Sequence, residues 1–216
     1  MINDGNDKKI LLDSEAAIGI GTIIIFISTI LVAGIAASIM IQTMGELENK
    51  AAETGSETLR DISMGLKVTQ ISGYYNGSTI SQLAFFISPL QGSQNVNLST
   101  AILSISDTSE QVILTCSDSI YSGSVSSGIF GTIDDTSLTA STFGVMVVRD
   151  YDSSCSSSQL TINEDDLVVL MVNASKSFSG IPTRTEIKGK LVPEYGIAGS
   201  FSFTTPTAYI DTIIDL

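Results

Sequence analysis

The sequence contains no histidine and no tryptophan. Without histidine, the commonest general base and the commonest metal ligand are both missing, and no serine has an imidazole to activate it. Cysteine is scarce. Cys116 and Cys155 stand in Ser-rich surroundings without a CxxC spacing, which excludes the usual zinc and dithiol redox motifs. In an oxidising compartment the two could pair and clamp a loop of about 40 residues, stabilising the fold by a few kcal/mol; two independent thiols are the equal alternative. Positive charge is scarce as well, with 10 Lys and Arg against 23 Asp and Glu, a formal net charge of −13. The basic residues are scattered, so the chain lacks the clustered cations that phosphate backbones require, and nucleic acid is excluded as a partner. Charged residues of either sign make up only 15% of the chain. Hydroxyls take their place: Ser and Thr together supply about a quarter of all residues, a surface suited to a β-rich exported protein.

One segment has no charge at all. Residues 16–45 read AAIGIGTIIIFISTILVAGIAASIMIQTMG. A membrane-spanning helix needs about 20 apolar residues, so this run is long enough, and it exceeds the apolar core of about 7–15 residues of a secretory signal. Its apolar residues surround the whole circumference, so the helix must be covered on every side, by lipid or by other helices. Ala33, Gly34, Ala36, Ala37 and Ser38 let backbones approach closely and favour helix packing. Ser28 and Thr29 can bond back to carbonyls one turn earlier. Helical spacing continues through Leu47, Ala51, Leu59, Ile62 and Leu66, supported by the Glu46–Lys50 pair, with Gly55 and Gly65 marking a bend and an end. Over residues 17–64 such a helix measures roughly 70 Å. A plain anchor has no use for that length. The preceding stretch, MINDGNDKKILLDSEA, is short and polar, and reads as a processed leader or a tail without structure.

Beyond Gly65 short β-branched and aromatic runs alternate with Gly, Ser, Asn and Asp. Candidate strands are 96–105, 111–116, 144–149, 167–173, 183–192 and 200–204. In 183–192, Thr185, Ile187, Gly189 and Leu191 face one way, and Arg184, Glu186, Lys188 and Lys190 the other, as in a half-buried antiparallel strand. Strands at this spacing suggest a sandwich. Sequons occur at Asn76, Asn97 and Asn173. Among the acidic groups, Asp150, Asp152 and Asp165 are candidates for Ca²⁺ or Mg²⁺, although no EF-hand spacing is present and solvated loop carboxylates are the alternative.

The run IGIGTIIIFISTILVAGIAASIMIQTMGELENKAAETGSETLRDISMGLKVTQISG resembles the N-terminal region of archaeal flagellins (archaellins), filament subunits built on a type IV pilin plan. VMVVRDYDSS at 145–154 and LVPEYGIAGSFSFTTPTAYI at 191–210 are similar to segments of the same family. The resemblance implies a class III signal peptide cut between Ala16 and Ala17 by a membrane prepilin peptidase. It also implies subunits held in the membrane before they polymerise, and a propelling filament turned by a membrane motor. The usual basic residue and Gly before the cut are replaced here by Ser14, Glu15 and Ala16. Type IV pilins carry Glu at the fifth mature position; counted from Ala17, that position is Gly21, which favours a flagellin over an adhesion pilin. N-glycosylation of the three sequons is likewise implied.

The expected fold is α+β: one long N-terminal hydrophobic helix followed by an antiparallel immunoglobulin-like β-sandwich. The expected division is a leader at 1–16, a core-forming helix at 17–66 with Ala33, Gly34, Ala37 and Ser38 as packing residues, and an outer domain at 67–216. The expected function is a structural subunit of an extracellular filament. Its partners are identical or related subunits, the peptidase, the motor and, before assembly, the membrane. No cofactor and no catalysis are expected. An adhesion pilin or a single-pass surface protein is the alternative.

Overall fold

The computed structural model describes residues 4–216, with side chains from residue 18 onward except Asp118. Helix α1 spans Asp4–Ser63. The first proline of the chain is Pro89, so nothing in this stretch removes a helical N–H or clashes with the preceding turn. The hydroxyls inside the apolar run are satisfied locally. Thr22, Thr29 and Thr43 donate to the carbonyls of Gly19, Phe26 and Ile39 at 2.8, 2.8 and 2.9 Å. Such back-bonding lets a Thr sit on an apolar surface at little cost.

Three expectations about this helix need correction. Residues 4–16, read as a processed leader or a tail without structure, are helical and continuous with the apolar run, which overturns the unstructured tail and leaves the leader an expectation. Lys, Leu, Glu and Ala dominate after Gly5, and these are good helix formers. Residues 1–3 of the expected leader lie outside the described residues, as do the side chains of Ala16 and Ala17. Gly55 does not interrupt the helix, and the end comes at Ser63, so Leu66 opens a strand.

Residues 57–216 form one compact unit, which includes the last two turns of α1. Its strands are β1 (Leu66–Tyr75), β2 (Ile80–Pro89), β3 (Val96–Asn97), β4 (Ile102–Ser106), β5 (Gln111–Ser122), β6 (Thr142–Arg149), β7 (Cys155–Ser156), β8 (Gln159–Ile162), β9 (Leu167–Asn173), β10 (Glu186–Val192), β11 (Gly199–Thr204) and β12 (Ile213–Asp215), with short helices α2 (Ile129–Thr132) and α3 (Ala174–Ser177). Nine strands form one sheet in the order β11-β10-β4-β5-β6-β9-β2-β1-β12, and β3-β8-β7 form a small second sheet. The β5–β6 pair is parallel; the neighbouring pairs, such as β6–β9, β2–β9 and β4–β5, are antiparallel.

The long sheet curls until its two ends face each other, which makes the sandwich. Phe85 on β2 meets Phe201 on β11 across the interior, with ring centroids 4.9 Å apart. Gly189 on β10 makes room for that ring, because a Cβ there would lie 2.5 Å from Phe201 Cζ. Leu83, Phe85, Ile87, Leu103, Val145 and Leu170 fill the space between the layers. Ala84, Met146, Val169 and Met171 point the other way, under Ile133 and Leu138 of the 123–141 segment. The central strands are thus buried on both faces and read as unbroken apolar runs. That is why β2 lacks a clear alternation in sequence. The expected strand 96–105 resolves into β3 and β4, which join different sheets and are separated by a turn in which Ala101 N–H donates to Leu98 O at 3.1 Å.

Candidate functional site

The apolar side chains of α1 are uncovered. Ile24, Val32 and Ile41 keep 58%, 67% and 70% of their surface exposed, and their neighbours along the run are similar. A Cβ placed on Gly34 would meet nothing within 4 Å. Ala33, Ala37 and Ser38, the other candidate packing residues, are exposed beside it. The second half of the helix is no better covered: Leu59 and Ile62 remain 70% and 67% exposed. Covering one such Leu or Ile completely is worth about 1.5–3 kcal/mol. With eighteen large apolar side chains exposed between Ile18 and Ile62, the helix cannot stay bare in water. By length and composition it could cross a membrane.

The C-terminal end of α1 is fastened to the sheet. Ile197 N–H donates to Met64 O at 2.9 Å, and Leu66 N–H donates to Ile197 O at 3.1 Å. On the other side Leu90 N–H donates to Gly65 O at 3.0 Å, and Ser93 Oγ donates to Ser63 O at 3.2 Å. The Arg60 guanidinium lies over the Tyr195 ring, 4.6 Å from its centre. Gly196 carries φ 95, and a Cβ on it would run into the Met64 main chain. The sequence marks Gly65 as the end of the helix and Leu66 as part of its spacing, and assigns no role at the junction to Arg60, Ser93, Tyr195, Gly196 or Ile197. The signal available was the Pro-Glu-Tyr-Gly turn at 193–196, whose Gly supplies the positive φ.

The sequons differ in accessibility. Asn76 is exposed in the β1–β2 turn, and its Oδ1 accepts from Ser78 and Thr79 N–H at 3.0 and 3.1 Å. Asn97 is exposed, with Oδ1 accepting from Ser99 N–H at 2.9 Å. Both residues are exposed to a modifying enzyme. Asn173 is 3% exposed. Its Oδ1 caps α3 through Lys176 N–H at 3.0 Å, and its Nδ2 donates to Asp135 O at 2.9 Å. The folded domain therefore offers Asn173 no access, and that expectation is withdrawn.

The acidic candidates assemble in part. One carboxylate oxygen each from Asp150, Asp152 and Asp166 lies within 4.8 Å of the other two. Asp165 is not among them: it faces solvent at φ 73, and its carbonyl accepts from Arg149 Nε at 2.8 Å. Asp166 takes its place because it shares strand parity with the inward Val168, Leu170 and Val172. It is fully buried, with Oδ2 accepting from Asn163 N–H at 2.9 Å and Oδ1 meeting no hydrogen-bond partner of ordinary geometry among the described residues. Burial pushes the Asp166 carboxyl above the ordinary aspartate range, and Asp150 and Asp152 add repulsion. Asp152 is held below that range by hydrogen bonds from Ser154 and Asn163. A divalent cation among three carboxylates would relieve that repulsion and engage the unpartnered oxygen. Cys155 is buried beside this group, its thiol pushed up to about 11 by burial and by Asp150 and Asp166. Cys116 is half-buried, and it is not bonded to Cys155 in this structure.

A family model described as archaeal-type flagellin matches residues 16–203. Flagellin B2 of Methanocaldococcus jannaschii is 35% identical over 94% of this chain and 95% of its own length. Flagellin B1 of Methanococcus voltae is 35% identical over 98% of this chain and 99% of its own. Among solved structures, a crystal structure of an archaeal flagellin from Methanocaldococcus jannaschii superposes with a TM-score of 0.65 at 33% identity, covering 70% of this chain and 96% of that one. The archaeal flagellum of Methanospirillum hungatei strain JF1 shares the fold, with a TM-score of 0.64 over 91% of this chain and 98% of that chain at 14% identity.

Proposed function

The chain belongs to the archaeal-type flagellin family and is a structural filament subunit rather than an enzyme, and we propose that it polymerises by burying the apolar surface of α1 against the same helices of neighbouring copies. The observation that carries this is the stretch of α1 from Ile18 to Met44, apolar on every side and uncovered within its own chain. Small residues at Ala33, Gly34, Ala37 and Ser38 let the backbones approach, so the contact gains dispersion as well as burial. The compact unit then faces outward, forming the surface of a filament outside the cell that serves as a propeller for swimming.

Before assembly the same surface is held by the membrane, and residues 1–16 act as a leader cut between Ala16 and Ala17 by a prepilin peptidase. A membrane motor assembles and turns the polymer. Asn76 and Asn97 carry glycans, and the Asp150–Asp152–Asp166 group holds a divalent cation that fastens the 150–166 loop. The test is N-terminal sequencing of the chain from filaments sheared off cells. A start at Ala17 in sheared filaments supports cutting and assembly together. An intact Met1 confined to the membrane fraction overturns the filament reading in favour of a single-pass surface protein. Loss of swimming in a deletion strain separates propulsion from adhesion.

A further inference from the structure

The two exposed sequons stand in different surroundings. Beside Asn76, a Cβ placed on Gly77 would meet nothing within 4 Å, so a group attached in that turn extends into open space. Asn97, at the end of β3, instead lines a small cleft together with Arg60, Met64, Val96, Glu194 and Tyr195. All of these belong to the compact unit. The cleft holds about 60 Å³, roughly the share of two waters in the liquid. That is too little for a sugar ring and enough for one small planar substituent.

The lining of this cleft is divided. Met64 and Val96, 3% and 2% exposed, supply its apolar part. Arg60 lies over the Tyr195 ring and makes no ion pair among the described residues. A guanidinium stacked in this way keeps its in-plane N–H donors available to an acceptor. Glu194 Oε2 accepts from Thr100 Oγ1 at 3.1 Å, and a carboxylate has lone pairs left for a further donor. A methyl, an acceptor and a donor thus have separate places, which is the pattern of an acetamido group. Beside it the Tyr195 ring, 36% exposed, offers a surface for the apolar C–H face of a sugar.

We propose that the cleft receives the acetamido group of an N-acetylated hexosamine linked to Asn97, so that the sugar ties the last turn of α1 to β3 and to the 193–197 turn. The inference rests on the reading of Asn97 as glycosylated. Attachment joins C1 of the sugar to Asn97 Nδ2, which gives up one proton, as C1 parts from the diphosphate of an activated glycosyl donor. Asn97 Oδ1 keeps its bond from Ser99 N–H at 2.9 Å. The acetamido group is on the carbon next to C1, so it begins at the rim of the cleft. Helix packing is not obstructed. Arg60 and Met64 are one helical turn apart, joined by Met64 N–H to Arg60 O at 2.9 Å, and helical spacing puts Leu59 and Ile62 roughly 150° round the axis from them. The apolar side of α1 therefore stays open to other helices.

Mass spectrometry and hydrogen exchange on subunits released from filaments test this. Peptide mapping is expected to find an N-acetylhexosamine bonded directly to Asn97. Ser99→Ala removes the sequon without altering the cleft lining, and Ser99 is exposed, so the fold is kept. In that variant the amides of Leu66 and Ile197, which bond across the joint, are expected to exchange at least ten-fold faster than in the unaltered chain. Ser99→Thr, which restores the sequon, is expected to restore slow exchange, and Ser78→Ala, which strips Asn76 instead, to leave it unchanged. Equal exchange in Ser99→Ala and a chain whose Asn97 carries the sugar overturns the packing and leaves the modification standing. A linking sugar without an acetamido group overturns the assignment of the cleft. An Asn97 found bare in filaments overturns the glycan reading itself, and this proposal with it.

Discussion

At the scale of single residues, Asp166 shows what the sequence can and cannot reveal. The run Asn163-Glu164-Asp165-Asp166 offers three acids in a row, and nothing in its composition says which one turns inward. Strand parity does: Asp166 is in step with Val168 and Leu170, and only the start of β9 had to be known. A buried carboxylate oxygen without a partner is costly, and its two acidic neighbours make it more so. Subunits released from filaments should therefore melt at higher temperature in Ca²⁺ than in EDTA. At one hundred times the dissociation constant the gain is about 2.7 kcal/mol, or about 5–10 °C for a domain of this size. Asp166→Asn, which keeps the shape and removes the charge, should abolish that response. An unchanged melting temperature on adding Ca²⁺ to the unaltered chain would rule out the cation.

The element scale separates β10 from β2. In β10 the alternation of Ile187 and Leu191 with Lys188 and Lys190 was visible because one face is wet and the other dry. In β2, Leu83 and Phe85 enter one core while Ala84 and Phe86 serve the other, so the period of two vanishes from the sequence. The end of α1 was misplaced for a related reason. Leu66 continues the helical spacing of Leu59 and Ile62, yet it is 1% exposed and pairs in β1 opposite Pro89. Tertiary contact with Ile197 decides the boundary, and no local pattern encodes a partner so distant in the chain. Gly196 is the residue that permits that contact. Gly196→Ala should lower stability by about 1–3 kcal/mol, since it forces an unfavourable φ and displaces the Met64 main chain. Gly77→Ala, at φ 98 but in open space, should carry the conformational penalty alone. Thermal melts of the two variants, compared directly, check the difference.

For the whole molecule, the division of labour was legible from the start. A helix apolar on every side cannot belong to the same soluble body as a Ser-rich β-domain, whatever the details of either. Gly34→Glu should therefore remove filaments while leaving the melting curve of the compact unit unchanged, and electron microscopy with calorimetry reads both. Filaments of normal appearance from that variant would contradict helix packing as the driving force. What the sequence hid is the joint between the two parts. Residues 63–66 lie as a rail between Ile197 on one side and Leu90 and Ser93 on the other, bonded to both. A pull along the chain at this point loads those bonds side by side, as in a lap joint, so they must yield together instead of peeling in turn. Force arriving through the last two turns of α1 would then be shared by both flanks at once, as a riveted seam shares its load.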